Sequence, residues 1–548
     1  MMMRTFIRTV TLWVFILQGA FAQKTCIEKD YTLNYTLQTI TWSFTSAASK
    51  ATIIKAVDIK NNELIPFHKV SNHYVFDDTK PAQIIKVDYT IDSLDGSNTK
   101  HAMLATPSLS TGSIHVYFNH EVNTSYSQVQ SAVNMGNTLA DLLISYINTC
   151  ENTLDIAIYN SYSPSETTGI VGAINAAYSR GVQVRLIYDG STSSAMIPLL
   201  NVNIPKLASP SSSSYGIMHN KFVIFDADHS NPNKPYVWTG STNWTTSQID
   251  GPDRNSVILI QDQALAQGYK IEFEEMWGSS SATPDTILSK FGPFKTDNTP
   301  HHYLIGGITI DQYFSPSDGV NAKIIDAINS ASSDIDIATM LLTRTDISSA
   351  LISKFNSGLS AINIVTDTQN PSGNQFITLQ SSLLPSHVVK FTNSGVMHHK
   401  FMVVDNFNSA SDPLVLLGSH NWSSSAETKN DENTLVVHDL NIANQYYQAF
   451  AYLYLDALGT LRIPQTEFNS NGISLYPNPV SDMFTISASN SYNDVHITVY
   501  NSMGKCVFKT HFDSLLQENI SLNQLASGIY FVQLEGTNLN WTSKLIKL

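Results

Sequence analysis

The chain has 548 residues, and at roughly 150 residues per domain that is room for about three or four domains. Hydrophobic residues make up 42% and charged residues only 14%, a balance that excludes disorder, collagen and coiled coil and suits an extracytoplasmic protein rich in Ser, Thr and Asn. The formal charge of −14 gives no overall field to draw in nucleic acid or an anionic membrane, and three cysteines exclude a disulfide scaffold or a Cys-rich zinc site.

Arg4 and Arg8 precede the apolar run Val10 to Leu17, and Ala20-Phe21-Ala22 precedes Gln23. A basic start, a short apolar segment and an A-x-A site are the parts of a secretory signal peptide, so residues 1–22 are expected to be cleaved on export. No other stretch approaches the length of a membrane-spanning helix. Residues 23–110 then read as strands with polar turns: Thr39–Phe44, Ala51–Val57 and Gln83–Tyr89. This predicts a β-sandwich-like accessory domain of the fibronectin or immunoglobulin kind, with nothing catalytic in it. Of the cysteines outside the C-terminal segment, Cys26 and Cys150 are free to pair in an oxidising compartment, and sequence does not decide whether they meet.

From residue 113 the pattern switches to alternating helix and strand. A helix over 138–147 leads into the strand Leu154–Tyr159, and a helix over 168–180 ends at Gly181 before Val182–Asp189. The order recurs in the second half. Ala322–Ile328 precedes the strand Ile335–Thr339, and Ile347–Phe355 precedes Ala361–Asp367. The tandem β-α-β units predict one duplicated α/β domain of α-β-α layering, with halves at 113–295 and 300–460.

Each half ends in the same constellation. The first has His219-Asn-Lys221, Asp226, then Gly240-Ser241-Thr-Asn243; the second has His398-His-Lys400, Asp405, then Gly418-Ser419-His-Asn421. The interval from His219 to His398 nearly equals that from Leu154 to Ile335, where the repeated strands start, so one duplication accounts for both motifs. On a strand the imidazole and ammonium of His-x-Lys share a face. The aspartate, five positions beyond the lysine, is placed to tie down the strand end, and Asp226 and Asp405 are counted with the motif's catalytic residues. A hairpin then returns Gly-Ser-x-Asn to the His-Lys face, where glycine permits close backbone approach. Each half thus offers an imidazole, a cation and two neutral donors, a set suited to a tetrahedral phosphate diester.

The doubled motif over residues 113–460 resembles the phospholipase D superfamily. That resemblance implies a metal-independent, cofactor-free displacement in two steps. One histidine of the pair His219 and His398 attacks phosphorus, and the other protonates the leaving oxygen and then activates water. It implies that Lys221, Lys400, Asn243 and Asn421, with Ser241 and Ser419 beside them, stabilise the non-bridging oxygens. An acid following each GSxN would hold the imidazole of the opposite half. Glu432 in Asp431-Glu432-Asn433 fits, which makes His219 the expected nucleophile. The first half reads Asp253-Arg254-Asn255, with arginine where the glutamate should stand and Asp253 as the substitute. The spacers from motif aspartate to glycine are longer than the family's and predict lengthened hairpin tips. One chain carries both motifs, so a monomeric catalytic unit suffices.

Other residues take plainer readings. His301-His302 and His398-His399 have no carboxylate or cysteine at ligand spacing, so no metal is expected there and solvated or motif histidines are. Trp244 and Trp422 are expected to pack beneath the site.

The last segment, 467–548, reads as short alternating strands opened by Pro477-Asn478-Pro479: 484–487, 496–500, 506–508, 528–534 and 543–548. This predicts a small antiparallel β-sandwich. With the turn at 502–504 and Ser527-Gly-Ile-Tyr530, it resembles the C-terminal sorting domain of the type IX secretion system of Bacteroidetes. That implies a partner in the secretion machinery and a secreted or outer-membrane-surface location.

The expected function is that of a secreted phosphodiesterase acting on a phospholipid head group. A secreted nuclease is the alternative, since Ala426–Asn433 looks like small nucleases of the superfamily. A non-catalytic secreted binding protein is the third reading. Head-group or base preference, and hydrolysis against transfer to another alcohol, are not legible.

Overall fold

The computed structural model describes residues 24–458, apart from 36–39, 49, 94–95 and 162–163, and residues 473–547, apart from 477–482 other than 480, 502–504, 527 and 538. The expected signal peptide, the Pro-Asn-Pro opening of the tail, its turn at 502–504 and Ser527 lie outside the described residues. The chain divides into two compact units, one ending at residue 459 and one starting at residue 460.

The larger unit opens with two antiparallel sheets. Five short strands between Lys24 and Phe76 form one, and Ala51–Asp58, Ile84–Ser93 and Gly96–Ala105 form the other. Alternating residues from both sheets, among them Tyr35, Trp42, Val87 and Leu104, close one core, which is the sandwich that period-two patterning predicts. The strand Gly96–Ala105 has few apolar residues and went unread in the sequence; it forms because it pairs along its whole length with Ile84–Ser93.

Residues 114–457 form two eight-stranded mixed sheets that share the order of seven strands and differ in the edge strand, Val133–Asn134 pairing parallel in the first and His302–Ile305 antiparallel in the second. In the first, the parallel pair Thr153–Ile158 and Gln183–Tyr188 lies beside the motif strand Lys221–Phe225, which runs antiparallel to Thr153–Ile158. In the second, Ile335–Thr339, Ile362–Thr366 and Lys400–Val404 repeat that arrangement. Both motif strands are buried at every position, so they read as unbroken apolar runs. Phe222, Ile224 and Val237 of one sheet and Phe401, Val403 and Val415 of the other share a single core. The helices Gln263–Trp277 and Leu440–Ala457 line that core, each N-capped by an aspartate, Asp262 or Asp439, that accepts a backbone N–H three positions on. The outer sheet faces are covered by Leu139–Thr149 with Pro164–Ser179, and by Val320–Ser330 with Thr345–Asn356. Trp244 and Trp422 pack in these outer cores, as expected.

The smaller unit is an antiparallel arrangement of five strands around Phe484, Ile497, Val532 and Leu545. Two of the expected short strands are one, Met483–Asn501, which continues through an irregularity between Ser487 and Tyr492. Bulges let a paired strand bend without ending, and period-two patterning alone does not see them. Cys26, Cys150 and Cys506 are all free thiols, so the first two do not pair. Among the described residues no helix is long and apolar enough to cross a membrane.

A candidate active site shared by the two halves

The motifs meet through crossed backbone bridges. Met218, which precedes His219, pairs with Asp431 of the other half, and Met397, which precedes His398, pairs with Arg254. The N–H of His219 donates to Asp431 carbonyl at 2.9 Å, and that of His398 to Arg254 carbonyl at 2.9 Å. Each histidine is therefore fixed at the seam by the opposite half. Two buried aspartates anchor the approach: Asp189 Oδ2 accepts from Met218 N and Asp367 Oδ2 from Met397 N, both at 2.8 Å. They were read only as the ends of repeated strands. Their equivalent places in the two copies of the repeat were the available signal.

The imidazoles are held differently. His219 Nδ1 lies 2.6 Å from Glu432 Oε2, across the seam, and Glu432 is fully buried. His398 Nδ1 lies 2.9 Å from Asn255 Oδ1, which also accepts from Ser241 Oγ at 3.0 Å. Asp253, the expected substitute, is engaged elsewhere, its carboxylate accepting from Val396 N at 2.8 Å. Strand register gives the reason. Gly240 pairs with Val257 and Gly418 with Thr434, so Asn255, not Arg254 or Asp253, is the counterpart of Glu432. The first half carries one extra residue between its Gly-Ser-x-Asn and this position, and the look-alike triplets hid it. Since Asn255 Oδ1 only accepts, the His398 proton sits on Nδ1 and leaves Nε2 with its lone pair.

Lys221 Nζ donates to His219 carbonyl at 2.7 Å, and Lys400 Nζ to His398 carbonyl at 2.6 Å, which folds both ammonium groups back over the histidines. Burial and the charges of both lysines hold the two imidazoles well below the ordinary histidine value. Burial likewise lowers both lysines, Lys400 to about 7, with Glu432 and Asp189 partly offsetting it at Lys221 and Glu432 and Asp367 at Lys400. The two buried lysines thus share their surroundings with three buried carboxylates, Glu432, Asp189 and Asp367. The amide oxygens of Asn243 and Asn421 are buried without a hydrogen-bond partner among the described residues. Ser241 and Ser419 serve as struts, since Ser256 N and Asn433 N donate to their hydroxyls.

One wall is unlike the other. The Tyr159 ring stands edge-on to His219 with centroids 4.8 Å apart and lies 5.2 Å from Lys221 Nζ. Its counterpart is Met340, whose sulfur is 3.9 Å from Lys400 Nζ.

Asp226 and Asp405 stand apart from this centre. Five positions of strand, about 16 Å, separate each from its lysine. Asp226 accepts the backbone N–H groups of Glu151, Asn152 and Thr153, and Asp405 those of Ser332, Ser333 and Asp334. Both adopt left-handed backbone, φ 53° and 56°, to face the loops they hold. They tie the strand ends and do not reach the histidines.

The family model described as "Cardiolipin synthase, PLD-like domain" matches residues 143–277 and again 324–454. A second, "Secretion system C-terminal sorting domain", matches 474–548. The mitochondrial cardiolipin hydrolase of Xenopus tropicalis is 29% identical over 131 residues, 23% of this chain and 55% of that protein. A phospholipase D of Rickettsia prowazekii is 28% identical over 181 residues, 33% of this chain and 80% of that protein. The chain spans about half the length of the cardiolipin hydrolases it matches. Among solved structures, the phospholipase D family member Nuc from Salmonella typhimurium is 25% identical, covering 28% of this chain and 95% of Nuc at a TM-score of 0.23. Phosphatidylserine synthase of Haemophilus influenzae is 12% identical, covering 60% of this chain and 84% of its own at a TM-score of 0.41.

Proposed function

The chain belongs to the phospholipase D superfamily and ends in a secretion sorting domain, and from that premise we propose that it is a secreted phosphodiesterase that cleaves the head-group diester of a phospholipid through a phosphohistidine. The reading is carried by the unequal anchoring of the two imidazoles, His219 by a carboxylate and His398 by a neutral amide.

His219 is the nucleophile in this scheme. When its Nε2 lone pair attacks phosphorus, the ring becomes cationic, and the buried Glu432 carboxylate on Nδ1 stabilises that charge. His398, protonated on both nitrogens when the diester anion is bound, gives its Nε2 proton to the departing alcohol oxygen as the P–O bond breaks. An amide on the far side stabilises imidazolium less than a carboxylate does, which makes His398 the readier acid. In the second step neutral His398 takes a proton from water, the hydroxide oxygen attacks phosphorus, and the P–N bond to His219 breaks. Lys221, Lys400 and the amides of Asn243 and Asn421 bear on the non-bridging oxygens throughout.

Relatives named cardiolipin hydrolase and phospholipase D support a lipid substrate. The −14 charge also opposes the electrostatic attraction that dominates non-specific nucleic-acid binding. The test is a parallel assay of the purified full chain on phosphatidylcholine vesicles and on plasmid DNA, with His219→Asn and His398→Asn as controls. Choline release that both variants lose supports the proposal. DNA nicking with inert vesicles replaces it with the nuclease reading, and a folded protein silent on both overturns the head-group proposal in favour of another diester or the binding-protein reading.

A further inference from the structure

His301 and His302 are not the solvated pair that their sequence spacing suggested. His302 is buried, and residues remote in sequence surround it. Cys26 comes from the first strand of the N-terminal domain, Lys24–Ile27, and Asp311 from the strand that pairs with His302 in register. Ligand spacing in sequence missed this because the thiol comes from the far end of the chain, in another domain. One thiol, one imidazole nitrogen and one carboxylate oxygen lie within 4.8 Å of one another.

We propose that Cys26, His302 and Asp311 form a binding site for a divalent cation of the zinc class, which clasps the N-terminal β-domain to the second half of the α/β domain. The donor set has the required chemistry. A thiolate and a carboxylate neutralise a dication while the imidazole remains uncharged, and S, N and O donors together are what zinc accepts in four-coordinate sites. The surroundings match the outer shell of such a site. His302 Nδ1 is 2.7 Å from Asp311 Oδ1, and its Nε2 is 3.1 Å from Glu28 Oε1. Without a cation the imidazolium donates from one nitrogen to each of these carboxylates. With the cation on the Nδ1 side, Nε2–H donates to Glu28, the carboxylate–histidine–metal pattern that orients ligands. Asp311 Oδ2 faces His438 Nε2 at 3.2 Å, and His438 Nδ1 faces Asp412 at 2.8 Å, which orients the ligand carboxylate in turn. Lys323 Nζ, 3.2 Å from Glu28 Oε2, keeps Glu28 in the outer role.

A cavity of about 370 Å³ is lined by Cys26, His302, Asp311 and His438, and supplies both an entry path and room for a water as fourth ligand. Cation binding releases the thiol proton and one imidazole proton, so no other reactant is needed. The site is separate from the diesterase centre. Asp311 pairs with Val436, four positions along the strand from Glu432, or about 13 Å.

The test uses the full chain, purified without chelator or affinity metal and dialysed against zinc and then metal-free buffer. Metal content by inductively coupled plasma mass spectrometry should be about one zinc per chain. Cobalt substitution should give a thiolate-to-cobalt charge-transfer band. Cys26→Ser and His302→Gln should lose the zinc and the band, while Cys506→Ser, which changes an exposed thiol, should keep both. A chelator should lower the melting temperature of the wild type and leave that of Cys26→Ser unchanged. Wild-type chain that retains less than about a tenth of an equivalent would overturn the proposal, as would Cys26→Ser that folds by circular dichroism and keeps full occupancy. Should Cys26→Ser fail to fold, the cobalt band of the wild type decides: its absence from a folded, cobalt-treated chain overturns the site.

Discussion

Asn255 occupies in the first half the place that Glu432 occupies in the second: each accepts from the Nδ1 of the histidine opposite, at 2.9 and 2.6 Å. A near-symmetric duplication thus builds an asymmetric pair of imidazoles, and the proposed mechanism divides nucleophile and acid along that asymmetry. Replacing Glu432 with Gln should lower kcat by about 10²–10⁴, because the cationic phosphohistidine at His219 loses its counter-charge. Asn255→Asp should instead weaken His398 as an acid and slow leaving-group departure. Rapid-quench detection of acid-labile phosphoprotein separates the two. Equal effects of both variants on the yield of that intermediate would sink the role assignment.

The lysines impose a pH limit. Burial brings Lys400 down to about 7, and in the proposed mechanism its ammonium meets a phosphoryl oxygen. A cation exists below its pKa, so kcat/KM, which reports the free enzyme, should fall as pH rises past about 7. Bound diester anion raises the lysine pKa, so the limb in kcat should lie at higher pH. Profiles of both parameters across this range on a neutral-headgroup lipid would show it. Coincident limbs would argue that lysine is not the titrating group.

Gly240 and Gly418 are required by space as well as by backbone. Both have φ 152°, and a Cβ would stand 2.2 Å from Ser256 carbonyl oxygen in one case and 2.1 Å from Asn433 carbonyl oxygen in the other. Gly418→Ala should therefore push apart the strands that set Glu432 opposite His219. The expected cost is about 2–4 kcal/mol of stability, with loss of most activity. Denaturant melts and the vesicle assay measure the two effects.

Asp226 predicts the opposite split. Asp226→Ala leaves three backbone N–H groups at 151–153 without their acceptor, at about 1–3 kcal/mol each before water intrudes. Stability should drop clearly, while kcat at a temperature where the variant stays folded should remain within about threefold of wild type. A large kcat loss in folded Asp226→Ala would place the aspartate in the chemistry after all.

The sequence by itself determined the duplicated α/β domain, the flanking β-domains and which His, Lys and Asn stand in the candidate site. Strand periodicity and fixed spacing are local, and a repeat prints them twice. The family resemblance carried the pairing of Glu432 with His219, because the second half keeps a glutamate at the expected place after its Gly-Ser-x-Asn. Tertiary structure alone decided that Asn255 faces His398, since one inserted residue shifts a register that only strand pairing reveals. It moved Asp226 and Asp405 away from the chemistry, to strand ends about 16 Å off. It also gathered Cys26, His302 and Asp311, whose approach depends on one domain packing against another. Contacts between residues far apart along the chain leave no periodicity in it, because they arise from packing between elements.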